Sequence, residues 1–184
     1  MLPLGHLGIG SWLTKPLTRP WRAANRRLFL WVLLGTLLPD LIDKPLFHLT
    51  QALVRSGTLE SAAWVTSSRT IGHTAILLIA FSFVAWGRKS RSAFAVALGM
   101  ASHLLLDNFM DRWTGVQPSS AFMALVFPLI EGRFADAPFE DISGHLAQIL
   151  DQPQLIGPEI LGAFLLTIDL IRWNRRRKAN PPAA

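Results

Sequence analysis

Residues 92–110 read SAFAVALGMASHLLLDNFM, and this stretch decides how the rest of the chain is read. It is long enough to cross a bilayer as a helix, which takes about 20 mostly apolar residues and no fewer than about 17. Yet it carries His103 and Asp107. Four residues apart, the two share one helical face. Charged groups at membrane depth are costly and by default mark function. The stretch predicts a membrane helix that presents a His-Asp pair to a polar site.

Composition supports that reading. Of the 184 residues, 51% are hydrophobic and only 16% are charged. A soluble domain usually carries about 25% charged residues. The formal charge is +6, but the bases sit in short blocks beside apolar runs rather than over a face. That pattern is a topology signal rather than a nucleic-acid surface. There is no cysteine. Disulfides and Cys-based zinc sites are thereby excluded, and a metal must be held by His, Asp or Glu.

Working outward, four segments fit a span: Leu28–Leu46, Ile71–Trp86, Ser92–Met110 and Ile156–Trp173. Leu2–Leu13 and Ala121–Ile130 are too short to cross and read as re-entrant or interfacial helices. The expected fold is all-α: a polytopic transmembrane helical bundle of about four spans, in a single integral-membrane domain over 1–178. Residues 179–184 read as a disordered tail. The N-terminal stretch lacks the basic start of a signal peptide, its first base being Lys15.

Three basic blocks, Lys15–Arg27, Arg88–Arg91 and Arg172–Lys178, then fall on one side and hold 13 of the 18 bases. The positive-inside rule makes that side, and the C-terminus, cytoplasmic. The other side takes the loops over 51–70 and 111–155, and with the outer ends of the spans it receives 11 of the 12 acidic residues. With about 1.5 Å rise per residue, Asp40, His73, His103 and Asp107 all come to the outer third of the membrane. Asp43 shares a face with Asp40, and His6 lies in an uncharged stretch that can reach the same level.

Three His and three Asp form a ligand set suited to zinc, manganese or iron, as one or two ions. Such an ion lowers the pKa of a bound water to about 7 and polarises phosphoryl or carbonyl oxygens. Arg69, four residues before His73, is placed to neutralise an anionic substrate group. Asp43 is a candidate ligand or general base, or a partner of Lys44 next to it. His48 and His145 read as surface histidines in loops, Asp169 as a partner of Arg172, and Glu159 as a helix-start charge.

At these residues the sequence resembles the YdjM-type membrane-bound metal-dependent hydrolases of bacteria and archaea. The resemblance rests on His6, Gly35-x-x-x-Pro39-Asp40, Arg69-x-x-x-His73-Thr74, Gly99-x-x-x-His103-x-x-x-Asp107 and Phe127-Pro128. It covers most of residues 1–130. It implies a distant relation to zinc-dependent phospholipase C and related nucleases, and so phosphoester hydrolysis. His6, Asp40, His73, His103 and Asp107 would hold a divalent ion, zinc foremost. Many members carry a second Asp two residues after Pro-Asp; here Asp43 stands three after Asp40. The soluble relatives add a His-x-x-x-Glu helix, which this chain lacks, His145 being followed by Ile149.

The expected protein is an inner-membrane hydrolase with its site at the outer face. Membrane lipid is the expected partner, with a phospholipid or polyprenyl phosphate as substrate and no nucleic acid. Two other classes use the same residues. A metal transporter or sensor needs polar groups that continue to the cytoplasmic side, and the inner halves of the spans show almost none besides Asp169. A structural protein would use the cluster only to staple helices.

Overall fold

The computed structural model describes residues 3–18, 27–60, 65, 67–115, 120–129, 154 and 156–179, with side chains of 120 and 176–179 excepted. Every regular element among them is helical. The N-terminal segment α1 (residues 3–13) runs as Pro3–Gly5, a π turn His6–Gly10 and Ser11–Leu13. Then come α2 (Arg27–Arg55), a 3-10 turn (Ile71–His73), α3 (Ala75–Gly87), α4 (Arg91–Trp113), α5 (Ser120–Val126) and α6 (Ile156–Ala179). The starts of α3 and α4 are capped as their sequence dictates. Thr74 Oγ1 accepts from Leu77 N at 3.2 Å and Ser90 Oγ from Ala93 N at 3.3 Å.

The expected helices are present, but the expected four membrane spans are not. Among the described residues only Arg91–Trp113 is long and apolar enough to cross a membrane. The physical reasons differ from helix to helix. With 13 residues, α3 is too short. The apolar stretch of α2 is interrupted by Asp40, Asp43 and Lys44, and that of α6 by Glu159, Asp169 and Arg172. The multi-pass topology, and the sidedness derived from it, fall with the spans. Even α4 buries 61% of its most apolar window inside the protein.

Two further expectations are corrected. The helix of the first segment does not end at Leu46; α2 continues through Pro39 and Pro45 to Arg55. His48 therefore stands on a helix, not in a loop, with its ring edge-on to Phe47. The residues read as an acidic loop, including His145, and the tail over 180–184 lie outside the described residues.

The centre of the molecule is the crossing of α2 and α4. Leu28, Val32 and Ala95 are wholly buried there. Gly35 and Gly99 make the crossing close. A Cβ on Gly35 would lie 2.2 Å from the Val96 carbonyl oxygen, and one on Gly99 2.4 Å from that of Val32. Only glycine permits such backbone approach. His103 lies one helical turn beyond Gly99, so the same crossing sets its ring against α2. On the other flank, α6 packs against α1.

Candidate metal centre

Four elements meet beyond the glycine crossing. The π turn of α1 supplies His6, a local geometry frequent at functional sites. Asp40 and Asp43 come from α2, Arg69 and His73 from the segment around the 3-10 turn, and His103 and Asp107 from α4. All seven residues singled out by sequence lie in this one cluster. His6, Asp43, His73 and His103 are fully buried.

Hydrogen bonds fix what each imidazole can offer. His103 Nδ1 lies 2.7 Å from the Thr36 carbonyl oxygen. A carbonyl only accepts, so Nδ1 carries the proton and Nε2 a lone pair. His73 Nδ1 donates to Asp43 Oδ2 at 2.7 Å. The two Nε2 atoms then face each other at 3.1 Å. Two lone pairs repel along that line, so a proton or a cation must mediate between them. Burial opposes protonation of His73, but its hydrogen bonds to Asp107 and Asp43 outweigh it and raise the pKa.

The carboxylates point to the same place. Asp107 Oδ2 is 3.5 Å from His73 Nε2 and 3.6 Å from His103 Nε2. Asp40 Oδ1 is 3.8 and 3.9 Å from the same two atoms. A tetrahedral ion with N and O ligands at about 2.0–2.2 Å has ligand–ligand edges of roughly 3.3–3.6 Å. The observed separations of 3.1–3.9 Å bracket that range. His6 stacks on His103, ring centroids 3.9 Å apart. Its Nε2 comes within 3.1 Å of Asp107 Oδ1, yet neither ring nitrogen has a hydrogen-bond partner. Two donor groups could hold an ion, His6–Asp40–His103 and His73–His103–Asp107. They share His103, which has only Nε2 to give.

Charge is consistent with this. Asp40, Asp43, Asp107 and Asp111 gather about Arg69 and Lys44, a carboxylate-rich surrounding that favours a cation. The residues present fit a divalent ion by donor type and spacing.

The remaining contacts are of a different kind. Asp43 accepts from Thr70 N at 2.6 Å, Thr70 Oγ1 at 2.8 Å and Gly72 N at 2.8 Å, besides His73. Its lone pairs are engaged. Lys44 pairs with Asp40 Oδ2 at 2.6 Å, not with Asp43 beside it, because residues four apart share a face. Arg69 Nε lies 3.1 Å from Asp107 Oδ2, and Nη1 is 2.9 Å from both Asp111 oxygens. Burial would lower the Arg69 pKa, but the charges of Asp107 and Asp111 raise it. Asp111 also accepts from Ala121 N at 3.0 Å and so ties α5 to the cluster. Sequence reasoning missed Asp111 by placing it beyond the helix. The signal was the register His103, Asp107, Asp111, one residue per turn.

The fold and the site define a class: a helical protein that gathers His and Asp from four elements into a metal-binding arrangement. Within that class the chain belongs to the YdjM family, whose model, described as YdjM inner membrane protein, matches residues 1–176. Neither a curated protein nor a solved structure matches the chain.

Proposed function

We propose that this protein is a metal-dependent hydrolase acting on the phosphate ester of an amphiphile. The observation that carries this is the meeting of His73 Nε2 and His103 Nε2, with Asp107 and Asp40 beside them, in a buried site. A divalent ion held by these four residues, zinc foremost and manganese or iron as alternatives, would polarise a phosphoryl oxygen and acidify a coordinated water. His6, with Nε2 3.1 Å from Asp107 Oδ1, is the fifth donor or the holder of a second ion.

The other residues position. Asp43 fixes the His73 ring so that Nε2 faces inward, and the Thr36 carbonyl does the same for His103. Such outer partners set ligand orientation and basicity. Arg69 and Asp111 hold Asp107. These assignments give Asp43 and Arg69 supporting roles in place of general base and anion binder.

An amphiphilic substrate is supported by the apolar exterior. Ile76, Ile79, Phe83 and Trp86 of α3 and Leu105, Phe109 and Trp113 of α4 are exposed. So are Leu41 and Ile71, near Asp40 and Arg69 in the chain. Exposed apolar patches of this kind mark interaction surfaces, and the family's description favours the inner membrane as the surface concerned.

The test is metal analysis of purified protein, followed by assay on lipid phosphate esters beside Asp107→Ala. Wild type is expected to retain stoichiometric metal and release phosphate or phosphoalcohol. The variant should lose both. Metal that survives loss of His103 and Asp107 together would overturn the site.

A further inference from the structure

The opening of the centre is edged by three polar side chains. Asp40 is 12% exposed, Arg69 19% and Lys44 29%, whereas the imidazoles are closed off. Two of the three are cations, and the chemistry at their disposal differs. Arg69 directs Nε to Asp107 and Nη1 to Asp111. Its charge is already engaged by two carboxylates. Lys44 has, among the described residues, one ion-pair partner, Asp40 Oδ2. The opposite oxygen of that carboxylate, Oδ1, faces His73 and His103. The ammonium thus stands one carboxylate away from the donor set, on its solvent side.

We propose that Lys44 is the anion-recognition residue of this centre, receiving a phosphate oxygen of the substrate while Asp40 keeps its place among the donors. A lysine ammonium carries three donors on a flexible four-carbon stem. It can hold Asp40 with one and a phosphate oxygen with another. A solvent-reached pair on one helix is weakly held, so exchange between the two acceptors is easy. The proposal rests on the hydrolase reading for the word substrate; recognition of the phosphate group stands on the geometry alone. The bland alternative is a surface ion pair that supports the helix and touches no ligand.

The experiment compares wild type, Lys44→Gln and Lys44→Arg after loading with zinc. Binding of inorganic phosphate and of a short-chain phosphatidic acid is followed by 31P NMR, with zinc content measured in parallel. K44Q is expected to weaken both anions by about tenfold or more, the loss of one charge-assisted hydrogen bond. Zinc content should stay at the wild-type level, and K44R should restore most of the binding. Tighter binding of phosphatidic acid than of phosphate by all three proteins would place the source of the anion in lipid. Unchanged phosphate binding in K44Q overturns the proposal, as does wild-type protein that takes up zinc but binds neither anion. Protein that takes up no zinc defeats the metal reading instead, and the wild-type against K44Q comparison still decides the role of Lys44.

Discussion

Two regions of this molecule bury polar groups, and they do so in opposite ways. In the seam between α1 and α6, most acceptors meet a donor, the buried Glu159 Oε1 being an exception. Asp169 takes Lys15 Nζ at 2.6 Å and Ser11 Oγ at 3.3 Å. Glu159 Oε2 accepts from Gly5 N at 3.0 Å, and the Leu165 carbonyl from Trp12 Nε1 at 3.2 Å. In the centre between α2 and α4, lone pairs meet lone pairs at His73 and His103, with a carboxylate oxygen of Asp107 beside them. Similar residue types are present in both. The seam staples helices, whereas the centre turns its donors toward one point that a proton or a cation can occupy. Burial of charge alone therefore does not mark function; the direction of the donors and acceptors does.

The comparison can be broken most severely at Asp43, the one residue of the centre whose bonding resembles the seam. Asp43→Ala leaves two backbone N–H groups, a hydroxyl and the His73 ring without their acceptor. The expected cost is about 3–5 kcal/mol, as for one partner removed from a buried pair. Chemical denaturation in detergent solution measures it. A loss under 1 kcal/mol, by the same scale, would show that Asp43 does not organise the turn.

A smaller effect separates the two regions by sign. Zinc at 100 times its dissociation constant should stabilise the wild type by about 2.7 kcal/mol through linkage. Asp107→Asn should abolish most of that gain. Asp169→Asn should lower the starting stability by about 1–3 kcal/mol, the cost of a broken buried hydrogen bond to a charged group, yet keep the full zinc increment. Thermal unfolding with zinc and with chelator gives both numbers. An equal zinc increment in D107N and D169N would erase the distinction between the regions.

How much of this was legible in the sequence follows from the range of each interaction. His103 with Asp107 is a spacing within one helix, and the helices themselves emerge from apolar runs. Asp40 and His73 were brought to the same level by assuming spans that the structure does not show. Their convergence comes instead from the Gly35–Gly99 crossing and the 3-10 turn. Charge within the apolar stretches decides against the other spans: Asp40, Asp43 and Lys44 in that of α2, and Glu159, Asp169 and Arg172 in that of α6. The first segment is longer than its apolar run: α2 passes through Pro39 and Pro45 to Arg55 because packing on α4 and the turn outweighs local preference. Long-range partners were out of reach. Asp169 was paired with Arg172 by proximity in the chain, but its partner is Lys15, more than 150 residues away. The four-donor environment of Asp43 likewise depends on a turn 27 residues downstream.

The finest test lies in Ser11, which belongs to the seam but follows the π turn carrying His6. Its hydroxyl is within reach of the Gly8 carbonyl at 3.0 Å and Asp169 Oδ2 at 3.3 Å. Ser11→Ala removes one donor from a fully buried position, for which about 1 kcal/mol is expected. In a chain of this size that is a fall in Tm of about 2–4 °C. If the seam only staples helices, the zinc increment should be the same as in the wild type. A smaller increment would mean that the seam also sets the angle at which α1 presents His6. His6→Ala should then lower the zinc increment as well, as expected of a donor that binds the ion.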